Sequence, residues 1–420
     1  MFPNPQAALP LPARSSLEQY KKRAKELVKA CRSGRPDAIR AWAGEWLHSR
    51  ADDVAAFALT KLSADSGRCV LADAQFVIAR SYGFASWPKF AAHVESLDRA
   101  DDPVSAFEAA VDAIVSGDAA TLGRMLRERP DLVHARSTRE HDGTLLIYTS
   151  ANGVEGYRQR SPKNAADIAA MLLRAGADVD ATADVYHGKC TTLGLVATSE
   201  PPRIAGVQIP VIDVLLGHGA RMDLPDMAGE SHTLVDACLA NGQPDAARHL
   251  ADRGAPLDLI GAAGLGRVDV MPRFFGDYGG LTGATSAQRR TAFAFASGYG
   301  HENAVRFFLD RGVDVNAELK EHGEGHTALH IAAYHGHADV VSLLVARGAR
   351  VDAIDRTWKT PPLKWALTGW ARKDADPDAC YEVVARLVRA GAEVTPDILD
   401  WENVRADSHM QAALKGTLQP

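Results

Sequence analysis

The stretch Gly325-His-Thr-Ala-Leu-His-Ile-Ala-Ala-Tyr-His-Gly-His-Ala-Asp-Val-Val-Ser-Leu-Leu-Val-Ala-Arg-Gly-Ala-Arg-Val-Asp352 decides the fold. Ala328, Leu329, Ala332 and Ala333 recur at helical spacing and give a short first helix an apolar face. The alanines are small, so a neighbouring helix can come close. Gly336 ends that helix, as a residue free to adopt φ > 0 can. Val340, Val341, Leu343 and Leu344 then mark a second helix, which Gly348 ends, and an extended turn begins at Val351. The unit is a helical hairpin followed by a finger-like connection.

The ending recurs along the chain. Gly176-Ala-Asp-Val-Asp180, Gly219-Ala-Arg-Met-Asp223, Gly254-Ala-Pro-Leu-Asp258, Gly312-Val-Asp-Val-Asn316, Gly348-Ala-Arg-Val-Asp352 and Gly391-Ala-Glu-Val-Thr395 mark six helix ends. Their glycines are 43, 35, 58, 36 and 43 residues apart. The 58-residue gap hides a degenerate unit opening at Leu259, and a further one precedes the six, between Ala109 and Arg127. The reading is about eight units over residues 104–396, with periods in the range of helical repeat arrays. One such unit cannot bury its own apolar face; neighbours share a continuous core.

Thr327-Ala-Leu-His330, Gly336-His337 and Gly348-Ala349 resemble the ankyrin repeat, with Ala328 where that family has proline. The resemblance implies an all-α solenoid of ankyrin hairpins, several degenerate, preceded by a small helical bundle. It also implies that Thr327 and His330 hydrogen-bond across the first helical turn, and that fingers and first-helix ends line a concave face. The stretch from Leu71 to Phe90, and two later ones from Thr191 to Ser199 and Leu257 to Asp269, are similar to bacterial ankyrin proteins that carry a helical N-terminal region. That likeness names an architecture and no substrate.

The expected organisation is a disordered arm over 1–14, a helical region over 15–98, a linker over 99–103, the repeats over 104–396 and a tail or capping segment over 397–420. Within the helical region, Ser15 or Ser16 caps a helix running through Lys29. A second helix spans 36–47 and a third 71–82, ended by Gly83. Ser86-Trp87-Pro88 starts a fourth that ends near Leu97.

Hydrophobic residues make up 46% of the 420 and charged residues 24%, enough for a full core with an ordinary soluble surface. The net charge of −6 argues against nucleic acid held by a basic field. No apolar run is long enough for a membrane helix, and the start has no signal-peptide pattern. Cys31, Cys69, Cys190, Cys238 and Cys380 form no CxxC pair, which fits reduced thiols in the cytoplasm and no zinc signature. His322, His326, His330, His335 and His337 crowd together, but His330 and His337 fall at repeat consensus positions. The expectation is therefore no metal and no cofactor. Gly261-Ala-Ala-Gly-Leu-Gly266 lacks the strand and Lys-Ser/Thr context of a phosphate loop and reads as close helix packing.

The candidate ligand-binding residues, placed along the concave edge, are Tyr148, Tyr186, His187, Ser199, His232, Tyr299, Tyr334, His335 and Trp358. Most are amphipathic, and aromatics dominate binding hot spots. Trp365 and Trp370 read equally well as core or contact. Insertions at 154–164, 200–208 and 372–378, with an irregular run at 276–286, read as tolerated surface loops or as parts of the binding face. The leading function is a scaffold binding a protein or peptide partner. The alternative is a groove for a small molecule, with Tyr148, His187, His232 and Asp236 as acid–base residues. No nucleophile elbow, HExxH or kinase set supports an enzyme.

Overall fold

A computed structural model describes residues 4–12, 16–47, 49–62, 69–99, 101–223, 233–276, 280–319, 325–372 and 375–418. His232 and His322 lie outside the described residues. The chain divides into two compact units, residues 1–234 and 235–420.

The first unit opens with helices at Leu17–Arg32, Pro36–Gly44, Ala51–Leu62, Leu71–Ser81 and Trp87–Leu97. Each turns one apolar stripe inward. Tyr20, Ala24, Leu27, Trp42, Phe57, Val77, Ile78, Phe84 and Phe90 fill a common core. The rings of Tyr20, Tyr82 and Phe90 meet at centroid distances of 4.9–5.4 Å. The helix Ala51–Leu62 was not anticipated from sequence. The expected disordered arm is corrected in part. Ala7, Ala8 and Leu9 are buried, and the Leu9 N–H donates to the Ser81 carbonyl at 2.9 Å, so these residues are part of the bundle.

Three hairpins follow in this unit. The first is Pro103–Ser116 with Ala119–Glu128; its helices are N-capped by Asp102 and Asp118, each accepting from a backbone N–H. In the second, a 3-10 turn at Leu145–Ser150 replaces the first helix and pairs with Ala165–Arg174. The third joins Thr192–Ala197 to Gln208–Gly217, with the insertion between them folded as the short helix Glu200–Ile204. Before it stands the only sheet among the described residues, an antiparallel pair Thr182–Val185 and Gly188–Thr191.

The second unit holds Leu234–Ala240 with Pro244–Asp252, Leu259–Gly264 with the 3-10 turn Met271–Phe274, and Ser286–Gly298 with Glu302–Asp310. Then come Ala328–Tyr334 with Ala338–Ala346, and Pro362–Trp370 with Pro377–Arg389. Short helices at Pro396–Leu399, Glu402–Ala406 and Ser408–Leu414 follow; they place Ile398, Val404, Met410 and Leu414 in the same core as Leu344 and Leu387. Eight hairpins are thus present among the described residues. All six marker glycines have positive φ, between 75° and 103°, which is why glycine recurs at these ends.

Small residues set the helix spacing. A Cβ on Gly264 would lie 2.6 Å from Leu239 Cδ1, so the glycine run at 261–266 serves close packing. At Gly369 the approach is tighter still: a Cβ would lie 1.9 Å from the Tyr334 carbonyl oxygen.

Candidate interaction surface

The Thr327–His330 element is the keystone of the finger that follows it. His330 is buried, and its Nδ1 accepts from the Thr327 N–H at 3.1 Å and lies 3.0 Å from Thr327 Oγ1. Its Nε2 faces the carbonyls of Ala353 at 3.0 Å and Thr360 at 3.3 Å, across the finger. Nδ1 accepts, so Nε2 carries the proton and donates. Burial holds this imidazole neutral, with its pKa lowered to about 4. The bond across the helical turn that the resemblance implied is present, and the same ring also ties the finger down.

Asp355 locks the finger from within. Its carboxylate accepts from the N–H of Trp358 at 2.6 Å, the N–H of Thr360 at 2.9 Å, the Thr360 hydroxyl at 2.8 Å and the Trp365 indole at 3.3 Å. Burial pushes its pKa upward, but these donors outweigh it and bring the carboxyl down to about 2. The result is a rigid loop around a buried Trp365, whose ring meets His326, His330 and Tyr334. On top of Trp365 sits Trp358, edge-to-face at 5.1 Å and 56% exposed. Ile354, two residues into the same finger, is 55% exposed. Large apolar side chains standing in water on a stiff mount are the composition of a contact anchor. Trp365 itself is core, and Trp370 packs against the same core beside Tyr381.

The other predicted residues separate by burial. His335 is exposed, its ring beside Tyr334 and His337. Tyr334 is half-buried under the Arg372 guanidinium, 5.3 Å from its ring. Tyr299 is half-buried too, and its hydroxyl donates to the Leu239 carbonyl, so it fastens one helix to another. Burial raises its pKa to about 12. In the first unit Tyr186 and His187 form the tip of the β-hairpin, both exposed, both at positive φ (53° and 67°). This is the geometry of a two-residue hairpin turn that glycine or asparagine normally occupies. An aromatic there is strained, and strain of this kind gathers at functional positions. Tyr186 bonds to Asn152 and receives a bond from Gln6.

Two readings from sequence are corrected. Ser199 is buried, its hydroxyl 3.4 Å from the Ala151 carbonyl and its own carbonyl bonded by the Gln208 amide. Tyr148 is fully buried, because the insertion at 154–164 does not stand out as a loop but turns inward and covers it. Asp236, offered as an acid–base residue with Tyr148, is also buried, packed beside Gly261.

That inward turn builds a charged core that the sequence reading missed. Glu155, Glu108, Arg139 and Arg158 are all buried. Arg139 pairs with Glu155 and with Glu108 at 3.2 Å, and donates to the Tyr82 carbonyl at 3.1 Å. Arg158 pairs with Glu108 at 2.7 Å and Asp112 at 2.8 Å. His141 lies 3.4 Å from both Glu155 and the Tyr148 hydroxyl. The Arg139 guanidinium stands 5.2 Å from the Phe84 ring. Burial alone would raise both glutamates; the facing guanidiniums outweigh it and hold both below the ordinary carboxylate range. The Tyr–His–Glu line has an acid–base composition, but its hydroxyl has no open surface. Its partners join the N-terminal helices to the first two hairpins. The only signal in the sequence was the density of charge in an insertion, Glu155 and Arg158 on either side of Tyr157.

Among the described residues no group of His, Cys, Asp and Glu has the arrangement of a metal site, and no helix is long and apolar enough to cross a membrane.

Comparison with known proteins places the repeats. Residues 259–355 match the family of ankyrin repeats in three copies. Inversin from Gallus gallus is 44% identical over 64 residues, 15% of this chain and 6% of that protein. Ankyrin repeat and SOCS box protein 16 from Homo sapiens is 28% identical over 215 residues, 46% of this chain and 43% of its own length. The chain therefore spans less than half of the curated relatives it matches. Among solved structures, the human ASB11 ankyrin repeat domain aligns with a TM-score of 0.35 at 15% identity, over 68% of this chain and 99% of that one. The all-α fold class expected from the sequence stands, with residues 259–355 matching ankyrin repeats.

Proposed function

We propose that this chain is an interaction protein whose fingers hold a protein or peptide partner, with Trp358 and Ile354 as the central anchor. Ankyrin repeats are a protein-interaction module, and the observation that carries the reading here is the exposed Trp358 mounted on buried Trp365 by the Asp355 lock. A tryptophan that is more than half in water loses apolar exposure only when something covers it, and a preorganised finger leaves little entropy to lose on binding. Tyr334 and His335, in the same unit, extend this contact; Tyr186 and His187 offer a separate exposed tip in the first unit, and Tyr299 serves the fold instead. The five buried cysteines form no disulfide among the described residues, which suits a reducing compartment and favours the cytoplasm.

The test is affinity enrichment from cell extract with three baits: the unmodified chain, Trp358→Ala with Ile354→Ala, and Glu302→Ala with Arg347→Ala as a control on exposed helix charges. A partner held by the fingers should fall at least about tenfold with the first pair, equivalent to about 1.4 kcal/mol, and persist with the control. Loss with the control pair and retention with the finger pair would refute the assignment.

A further inference from the structure

The N-terminal helices enclose a cavity that neither the repeats nor the fingers account for. Its volume is about 560 Å³, within the range of small-molecule sites. One wall is the helix Leu17–Arg32, which contributes Gln19, Tyr20, Lys22 and Arg23. Tyr82, Trp46, Leu47 and Ser49 belong to the same lining. The segment Leu9-Pro10-Leu11-Pro12 crosses the remaining side. That segment is pinned at Leu9 by its bond to the Ser81 carbonyl, and two prolines with fixed φ stiffen it.

The walls select by chemistry. Trp46 is the partly open aromatic face; Tyr20 and Tyr82 are buried behind it among the core rings, Tyr82 tilted 31° to Trp46 with centroids 6.2 Å apart. Among the described residues, Lys22 and Arg23 are the charged groups on the lining, and no carboxylate joins them. Glu26, on the same helix, faces both cations, 3.1 Å from Arg23 and 3.8 Å from Lys22, and offsets one of the two charges. One net positive charge remains beside aromatic faces. The Arg23 guanidinium is 5.9 Å from the Trp46 ring, which holds it along the wall. Burial keeps the Tyr82 phenol protonated, as a neutral hydrogen-bonding group.

The geometry points to a binding site for a small planar anion, an aromatic or heteroaromatic carboxylate of one to three rings. Its rings lie against Trp46 and the prolines of the Leu9–Pro12 segment, and its carboxylate lies at Arg23 and Lys22. Neutral rings of the same shape gain the stacking and lose the charge contact. Cationic ones meet like charge.

Isothermal titration of the full chain tests this with three probes of one shape: 2-naphthoate, 2-naphthalenemethanol and 2-naphthylmethylammonium. The expected result is saturable binding of one naphthoate with Kd below about 1 mM, at least about tenfold weaker binding of the alcohol, and none of the cation. The double variant Lys22→Gln with Arg23→Gln changes two side chains at the mouth of the site. It should keep the circular dichroism and melting temperature of the parent and lose at least about tenfold in naphthoate affinity. No saturable binding to the unmodified chain overturns the inference. So does equal affinity for the alcohol, or naphthoate binding that the double variant leaves intact.

Discussion

Acid should weaken the second unit through one imidazole, and the size of the effect follows from its burial. His330 has an ordinary value of 6.5 when unfolded and about 4 when folded. Its folded pKa is the lower, so the unfolded chain binds the extra proton. The stability it contributes is fully present above pH 6.5 and is lost as pH falls from there through 4. At about 1.4 kcal/mol per unit, the whole displacement is worth about 3 kcal/mol, and about 2 kcal/mol of it should be gone at pH 5. Protonation would put a charge on Nδ1, which now accepts from Thr327, and would break the tie between the first helix and the finger. The assay is urea unfolding at pH 7 and pH 5, followed by tryptophan fluorescence, on the parent and on His330→Gln. Other buried histidines lower the stability of both chains in acid, so the difference of differences isolates His330. The parent should lose about 2 kcal/mol more than the variant between the two pH values. An equal loss in both would refute the reasoning.

Removing one member of the buried charge cluster, by Glu155→Gln or Arg139→Met, should cost about 3–5 kcal/mol in chemical denaturation because the remaining charges stay buried. Arg405→Gln, which breaks the exposed pair with Asp400, should cost under about 1 kcal/mol. Gly369→Ala should destabilise the second unit by about 3 kcal/mol or more, since the new methyl group meets the Tyr334 carbonyl and backbone cannot yield cheaply; thermal unfolding would show it. Leu329→Ala and Leu344→Ala, both at zero exposure in the shared core, should each cost about 2–5 kcal/mol, against under about 1 kcal/mol for exposed His335→Ala. Equal losses for the three would show that the faces are misassigned.

The array was legible because its punctuation is local. A residue that must adopt positive φ after a helix leaves a glycine behind whatever surrounds it, and six such positions were enough to phase the hairpins. The Thr327–His330 bond was legible through the resemblance to the ankyrin repeat, which implies it across the first helical turn. The site was less so. Periodicity says which helix face is apolar, but not whether an insertion will fold back over it. Register alone puts Tyr148 and Ser199 at an edge, and both are buried by tertiary packing that register cannot see. The charge cluster was invisible because Glu108, Arg139 and the pair Glu155 and Arg158 come from three segments, whose meeting depends on tertiary structure. Trp358 could be found, because an aromatic within a polar finger has no helix face to pack on. The Asp355 lock three residues before it was the available clue that the finger is rigid.

The buried pairing of Glu108 with Arg158 also sets a clock on synthesis. The two residues are 50 apart in the chain. At roughly 5–20 residues per second, Glu108 leaves the ribosome about 3–10 s before Arg158 does. Arg139, 31 residues from Glu108, emerges sooner and is the first counter-ion available to it. The full set of matched charges at this end exists only once the segment carrying Glu155 and Arg158 has been made.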